Sequence, residues 1–217
     1  MNTAIGLSAL YFNATGGGNT AIGNGAGTAS ENLSNTTALG NAATVSASNT
    51  IALGNTSITS IKGQVGFTTY SDSRAKTAIA ENIPGLAFIQ KLRPVTYRYD
   101  IRRQNALLGI TDTAQWEGKY DIEKMTFSGF LAQEVEQAAR SVGYNFSGVD
   151  APKNDQSLYG LRYAEFTVPL VKAVQEQQAL IEEQRGQLEQ QGKLLSALQA
   201  RLEVLEAAAT TGKRGNR

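Results

Sequence analysis

The chain has 217 residues, enough for one ordinary domain with extra segments or for two small domains. Its 20 Lys+Arg and 19 Asp+Glu leave a net charge of +1, so no global field attracts nucleic acid or a membrane surface. The absence of cysteine and histidine excludes disulfides, thiolate zinc sites and imidazole-based catalysis. A hydrolytic reaction would need a carboxylate or a neutral lysine as its base, and we expect no cofactor or metal. No apolar run reaches the roughly 20 residues that span a bilayer, so we expect no membrane insertion.

Residues 1–70 are repetitive and almost uncharged. They hold two charged side chains, Glu31 and Lys62, and half of the 22 glycines. Copies of the pattern Asn-Thr-Ala-Ile-Gly, strict or loose, lie at residues 2–6, 19–23, 35–40 and 49–54. We interpret each copy as a very short strand with one Ile or Leu facing inward, followed by a turn whose glycine needs positive φ. One such unit buries too little to be stable alone, which predicts stacked coils, a β-solenoid or interwoven β-prism. A flexible linker is the alternative.

These repeats resemble the head repeats of trimeric autotransporter adhesins and similar repeats in phage tail fibres. The resemblance covers residues 2–58. It implies that identical chains bury part of the repeat surface around a shared axis.

Residues 59–70 form the connector that completes the first segment, 1–70. Its apolar residues indicate a short strand pair around residues 62–64. In chain order we then predict helices over 71–82 and 85–91, a strand over 95–100, a polar excursion over 102–119, a strand over 124–130, a helix over 131–142 and a loop-rich return over 143–160. Together these elements predict a small α+β domain over 71–165, with its helices on one side of a short sheet. We expect Phe130, Tyr163 and Phe166 in its core.

The segment 166–208 is rich in strong helix formers and carries a heptad pattern. One set of apolar residues recurs every seven positions: Val174, Ile181, Leu188, Leu195 and Leu202. A second set also recurs every seven positions and has three glutamines in its middle: Leu170, Gln177, Gln184, Gln191, Leu198 and Leu205. This pattern is typical of a coiled coil. A lone helix would leave the seam in water, so we expect the chain to oligomerise, and a trimer fits. A helical hairpin within one chain is the alternative, but no return helix follows. The basic tail 209–217 lacks interleaved aromatics, so we expect no nucleic-acid partner.

Four ordered motifs carry a second resemblance. They are Ser71-Asp72 with Arg74 and Lys76, then residues 92–99, 129–136 and 163–176. They resemble the intramolecular chaperone domain at the carboxyl end of phage tail spikes and fibres, the S74 peptidase family, over residues 71–180. The resemblance implies a domain that trimerises a fibre and then cuts itself off at its first serine. It thereby implies cleavage between Tyr70 and Ser71, with Ser71 as nucleophile, Lys76 as general base, and Asp72 and Arg74 in support.

The proposed pair is chemically reasonable without histidine. A lysine accepts a proton only when its amine is neutral, a form that burial away from carboxylates favours. On a continuous helix, a spacing of five would place Ser71 and Lys76 about 140° apart. They would meet if Ser71 lies extended just before the helix, or across a trimer interface. Backbone N–H groups at the helix start would hold the oxyanion. The simpler interpretation makes Ser71 a helix N-cap and Lys76 a solvated surface side chain.

Three functions follow from these patterns. The first is a self-cleaving, single-turnover serine endopeptidase that trimerises and folds a fibre. The second is a structural fibre tip or adhesin that is trimeric and never cut. The third, a self-cleaving membrane-bound regulator, is disfavoured because no spanning segment is visible. The expected partners are two further copies of the chain, the parent fibre and, through the fibre, a host cell-surface receptor. The expected location is a virion tail fibre or, alternatively, a bacterial surface.

Overall fold

The computed structural model of the protein describes residues 1–111 and 115–214. The chain divides into two compact units. The first comprises residues 1–82 and 91–165, and the second comprises residues 83–90 and 166 onward.

The repeats form very short strands that stack in parallel. In chain order they are β1 (Thr3–Ile5), β2 (Thr20–Ile22), β3 (Gly27–Thr28), β4 (Thr37–Leu39), β5 (Thr44–Val45) and β6 (Ile51–Leu53). Strands β1, β2, β4 and β6 make one parallel sheet in chain order, and equivalent residues of successive repeats pair with each other. Strands β3 and β5 pair in a second parallel ladder. Both ladders support the β-solenoid interpretation, which stays a prediction.

The residue that faces the interior of the repeats is alanine. Ala21 and Ala38, at the centres of β2 and β4, are 0% and 1% exposed, and they cluster with the buried Ala26 and Ala43. Successive side chains of a strand point to opposite faces, so the Ile or Leu that follows each alanine lies on the outer face. Ile22 accordingly remains 41% exposed. The prediction that Ile or Leu faces inward is therefore wrong.

The glycine that ends each main-sheet strand has positive φ, as predicted. Gly6 and Gly23 have φ of 126° and 135°. A Cβ on Gly6 would lie 2.6 Å from the carbonyl oxygen of Gly23, and one on Gly23 would lie 2.4 Å from that of Gly40. Only glycine therefore allows successive repeats to approach this closely.

A buried asparagine links neighbouring repeats. Asn19 is 1% exposed. Its amide donates to the carbonyl of Leu33 at 2.7 Å and to Asn13 Oδ1 at 3.1 Å. Its Oδ1 accepts from the N–H and hydroxyl of Thr36 at 3.0 and 2.8 Å. These bonds satisfy an amide that would otherwise be costly to bury.

The connector and the segment after it contain less regular structure than predicted. The strand pair around residues 62–64 is absent, and the predicted helix over 71–82 is reduced to one 3₁₀ turn, Ser73–Ala75. Phe67 and Ile79 are 93% and 76% exposed. Short strands and helices need a packed apolar face to be stable, and no such face forms here. The second predicted helix is present in shortened form as α1 (Leu86–Ile89).

The remainder of the first unit contains short strands and two helices. They are β7 (Val95–Tyr97), α2 (Ile101–Leu107), β8 (Phe127–Gly129), α3 (Ala132–Ser141), β9 (Val149–Asp150) and β10 (Gly160–Leu161). Strands β7 and β8 pair antiparallel, as do β9 and β10. Both predicted strands and the helix over 131–142 are confirmed in shortened form. A 3₁₀ turn over Asp121–Lys124 replaces the start of the second predicted strand.

Helix α2 overlaps the start of the predicted polar excursion over 102–119, where no helix was predicted. The side chain of Asp100 caps the helix by accepting from the N–H of Arg103 at 2.9 Å. Ile101 anchors the first turn and is fully buried. An aspartate before an apolar residue is a helix-start signal, and it was present in the sequence.

The second unit is dominated by one long helix. A 3₁₀ turn, Tyr163–Phe166, leads into α4 (Thr167–Arg214), whose 48 residues extend about 72 Å. The helix therefore continues into the segment predicted as a tail, and residues 215–217 of that tail lie outside the described residues. Helix α1 packs on α4, where Leu86 N donates to Glu176 Oε2 at 2.7 Å.

The heptad seam of α4 is exposed in the single chain. Val174, Leu188 and Leu195 are 63%, 66% and 58% exposed. The coiled coil therefore stays a prediction. No helix among the described residues combines the length and apolarity needed to cross a membrane.

Candidate active site

The structure brings together the serine and lysine that the sequence singled out. Lys76 Nζ donates to Ser71 Oγ at 2.7 Å, within one chain. Tyr70, which carries the carbonyl on the other side of the predicted cleavage site, is fully exposed. The Ser71 hydroxyl and the Lys76 amine are thus within proton-transfer distance, beside an accessible peptide bond.

A single tight turn makes this contact possible. Asp72 is extended, with φ −67° and ψ 126°, and the 3₁₀ turn follows it. Lys76 leaves the turn in an extended conformation, and its N–H bonds to the carbonyl of Ser73. This geometry differs from the predicted one, in which Lys76 lay in an α-helix. A 3₁₀ turn completes a revolution in three residues, so one turn returns Lys76 to the side of Ser71.

Asp72 and Arg74 form a bidentate ion pair within the turn. Arg74 Nη2 lies 2.6 Å from Asp72 Oδ2, and the Arg74 N–H donates to Asp72 Oδ1 at 2.9 Å. The Arg74 guanidinium, followed by the Arg74 backbone N–H, lowers the pKa of the Asp72 carboxyl below its ordinary value. The same ion pair raises the pKa of Arg74. Asp72 and Arg74 therefore hold each other within the turn, and their support of the cleavage site stays a prediction.

The surroundings of Lys76 are compatible with a basic role. Among the described residues, no carboxylate lies within salt-bridge distance of its amine, because Asp72 pairs with Arg74 instead. A neighbouring carboxylate would favour the charged amine. Ser71 and Lys76 are nevertheless exposed in the single chain. This conformation of one chain therefore does not supply the burial that the predicted mechanism requires.

The predicted oxyanion donors at the turn are already engaged. The N–H of Arg74 bonds to Asp72 Oδ1, and those of Ala75 and Lys76 bond to the carbonyls of Asp72 and Ser73. In this conformation those three groups do not offer an oxyanion hole. That part of the predicted mechanism is not supported by the turn as it stands.

A cluster of aromatic side chains lines a groove of about 410 Å³ in the same unit. Tyr163 Oη accepts from the N–H of Phe130 at 3.1 Å, and Tyr97 Oη lies 3.5 Å from Tyr99 Oη. The hydrogen bond with Tyr99 and then burial raise the pKa of Tyr97 to about 12. Of the three residues predicted in the core, Phe166 is 5% exposed, whereas Tyr163 is 48% exposed and Phe130 is only partly buried. The prediction is therefore confirmed for Phe166 alone.

The two glutamates of α3 are engaged in ion pairs. Glu134 forms a bidentate pair with Arg93, just before β7. Glu136 pairs with Arg140 and accepts from the hydroxyl of Tyr159. These side chains connect the elements around β7 and β8. Among the described residues, no group of acidic side chains could hold a metal ion.

Comparison with known proteins identifies the middle of the chain. Residues 71–144 match the model of a family described as the chaperone of endosialidase, Peptidase_S74. The resemblance drawn from the sequence motifs is confirmed for these residues. The match includes neither the repeats nor the 163–176 motif. No curated protein and no solved structure gives a significant match to the chain.

Proposed function

Because residues 71–144 form a domain of the S74 family of endosialidase chaperones, we propose that the chain is the carboxyl-terminal chaperone of a homotrimeric tail fibre and cleaves itself between Tyr70 and Ser71. The family supports, in general terms, an intramolecular chaperone role in tail-fibre folding and a self-cleaving peptidase activity. The observation that carries the specific proposal is the 2.7 Å contact between Lys76 Nζ and Ser71 Oγ. It places a potential base at the first residue of the family match.

The apolar seam of α4 supports the trimer. The heptad positions between Val174 and Leu205 share one face of the helix, and their apolar side chains are exposed in the single chain. Burying each leucine in a coiled coil would contribute about 2 kcal/mol. Three copies of the seam, with layers of Gln177, Gln184 and Gln191, would set the helices in one register.

The outer face of the repeats supports the same assembly. Ile5, Ile22 and Leu53 are 58%, 41% and 41% exposed, and parallel pairing aligns them in one ladder with Leu39. An apolar ladder of this kind is typical of an interaction surface. In the proposed trimer, the ladders of three copies face a shared axis.

Cleavage proceeds through an ester. The neutral Lys76 amine takes the proton of Ser71 Oγ, which attacks the carbonyl carbon of Tyr70. The peptide C–N bond breaks, the new Ser71 amino group takes the proton from Lys76, and Tyr70 is left as an ester on Ser71 Oγ. Water hydrolyses this ester to the Tyr70 carboxylate and the free Ser71 hydroxyl. Because both side chains are exposed in one chain, the proposal assigns the burial of Lys76 to the assembled trimer.

The chaperone role follows from the topology of the repeats. Parallel pairing of strands far apart in sequence is slow and prone to wrong registers. A helical trimer at the carboxyl end would align three chains and raise their local concentration. Cleavage afterwards would remove the helices and leave the fibre kinetically trapped. A phage tail fibre is the proposed location, and a bacterial surface protein is the alternative.

Intact-mass measurement of the freshly assembled protein tests the proposal. We expect the wild-type chain to yield two pieces, residues 1–70 and 71–217, whereas Ser71→Ala and Lys76→Met remain whole. Lys62→Met removes another exposed lysine from the connector and should cleave like the wild type. Cleavage of Ser71→Ala at the wild-type rate would reject Ser71 as nucleophile. A wild-type chain that stays whole as a trimer would instead favour the uncut structural tip or adhesin.

A further inference from the structure

The first unit contains a cavity of about 570 Å³ that the proposed self-cleavage does not use. It lies beside the first repeats, and two later segments complete its wall. Its lining includes Ser8, Tyr11, Phe12, Thr28, Leu108 and Gln156. A concave site of this size is in the range of cavities that hold small ligands.

Two aromatic rings stand on one side of the cavity. Tyr11 and Phe12 are 76% and 63% exposed. Their ring centroids are 5.2 Å apart and the ring planes are at 86°, so the two rings offer surfaces in different directions. Exposed aromatic rings in a concave site are suited to the apolar C–H face of a sugar ring, and the Tyr11 hydroxyl adds a polar group.

The rest of the lining is polar but carries no full charge. Among the described residues that line the cavity there is no Asp, Glu, Lys or Arg. Ser8, Thr28 and Thr44 supply hydroxyls, and Gln156 supplies an amide. A phosphate or carboxylate would find no cation to pair with here. A hydrocarbon chain would leave the polar groups unpaired. The lining therefore favours an uncharged ligand with several hydroxyl groups.

One of these hydroxyls is unsatisfied. Thr28 is 2% exposed, and its Oγ1 is buried without a hydrogen-bond partner in the part of the chain that the structure describes. Buried hydroxyls nearly always have a partner. In a χ1 rotamer that turns Oγ1 into the cavity, this hydroxyl would gain a partner in a bound ligand.

We propose that this cavity binds one unit of a neutral saccharide. Tyr11 and Phe12 contact the apolar face of the sugar ring, and Thr28 and Gln156 hydrogen-bond to its hydroxyls. The site belongs to the uncut chain, because cleavage after Tyr70 would separate its two walls. Because residues on both sides of Tyr70 line the cavity, it is tested on the full-length Ser71→Ala chain, which keeps the wall intact whether or not the wild-type chain cleaves.

Saturation-transfer NMR and titration calorimetry would test the site. The probes are galactose, glucose, N-acetylglucosamine, lactose and chitobiose, with glucuronic acid and N-acetylneuraminic acid as charged comparisons. We expect at least one neutral sugar to bind and both acids to bind more weakly. Tyr11→Ala and Phe12→Ala should each weaken binding about tenfold. Phe67→Ala removes an exposed aromatic from the connector and should leave affinity unchanged.

The Thr28→Val variant distinguishes an effect on sugar binding from an effect on the stability of the fold. Valine has nearly the same shape as threonine, and the Thr28 hydroxyl has no partner to lose among the described residues, so the melting temperature should stay the same or rise. Affinity for the neutral sugar should fall about fivefold. Three results would each overturn the proposal: no binding by any neutral probe, tighter binding of a charged probe, or an affinity of Tyr11→Ala within about twofold of the parent.

Discussion

Asp72 and Arg74 lie in the turn beside which Ser71 and Lys76 meet. Their ion pair lies inside the 3₁₀ turn, and it leaves the lysine amine without a carboxylate partner among the described residues. The pair therefore does two things at once. It joins two side chains of the turn, and it engages the Asp72 carboxylate, which is the acidic group nearest in sequence to Ser71.

The lowered pKa of Asp72 gives a titration prediction. A carboxyl whose folded-state pKa is depressed contributes stability above its ordinary value of 3.8 and loses that contribution as the pH falls through its lower folded value. Carboxyl NMR should therefore place the Asp72 midpoint below 3.8 in the parent and higher in Arg74→Ala, which loses the guanidinium but keeps the backbone N–H of residue 74. Arg185→Ala, which removes an arginine from α4, should leave the Asp72 midpoint unchanged. An Asp72 midpoint that does not move in Arg74→Ala would contradict the assigned cause.

Residue chemistry was the most predictable part of the site. The lack of histidine left a lysine or a carboxylate as the candidate base, and the two residues singled out by the motif, Ser71 and Lys76, lie in contact. Their catalytic roles stay a prediction. Which side chains of the repeat strands face the interior was not predictable from hydropathy alone. The rule that larger apolar residues face inward fails in the main sheet, where alanines such as Ala21 occupy the buried face and Ile22 lies on the opposite, exposed face.

At the scale of elements, the pairing of β7 with β8 organises the aromatic groove. Gly129 at the end of β8 pairs with Val95 and lies against Tyr163. A Cβ at Gly129 would lie 2.1 Å from Tyr163 Oη and 3.3 Å from Tyr97 Cε1. The glycine thus allows the Tyr163 hydroxyl to reach the N–H of Phe130.

Substitution of this glycine should loosen the groove. Gly129→Ala would displace the Tyr163 ring and break its hydrogen bond to Phe130, with an expected loss of about 1–3 kcal/mol in the free energy of unfolding. Gly160→Ala is the matched control in β10, because its Cβ would meet Asp150 at an ordinary 3.6 Å. Urea unfolding of both variants measures the difference. Equal stability of the two variants would show that Tyr163 adjusts without cost.

The Tyr97–Tyr99 contact in the same groove gives a second prediction, which concerns the titration of Tyr97. The raised pKa of Tyr97 means that the fold favours its neutral phenol. This contribution is fully present below the ordinary value of 10.0 and is lost as the pH rises through about 12. Tyr99→Phe removes the hydrogen-bond partner and should move the Tyr97 midpoint down towards 10.0, as measured by NMR of labelled tyrosine. Tyr11→Phe is the control. A Tyr97 midpoint that stays near 12 in Tyr99→Phe would assign the shift to burial instead.

Elements with a packed face were predictable, and the others were not. The helix over 131–142 has an apolar face and appears as α3, with Val135 buried. The predicted strand pair in the connector and the helix over 71–82 have similar local propensities but no surface to pack on, and they do not form. Helix α2 was missed for the opposite reason. Its sequence is polar, and its stability comes from the Asp100 cap and the buried Ile101.

At the scale of the whole molecule, the single chain leaves two apolar surfaces exposed. One is the ladder of Ile and Leu on the repeats, and the other is the seam of α4. The ladder runs across the strands of the main sheet, with one residue from each strand. The seam runs along α4 and repeats every seven residues. Two such surfaces at opposite ends of one sequence are consistent with a single assembly, in which distant segments of the chain meet the same segments of its copies.

The seam gives the test of that assembly. Leu188 and Val204 are almost equally exposed in the single chain, 66% and 68%, but only Leu188 lies on the heptad seam. Leu188→Glu would place three carboxylates at the shared axis and remove about 2 kcal/mol of burial per chain. Sedimentation velocity should then show monomers where the parent is trimeric, and self-cleavage should slow with the loss of assembly. Val204→Glu introduces the same charge off the seam and should remain trimeric and cleave normally. If both variants behave alike, α4 does not hold the copies together, and the burial of Lys76 must have another source.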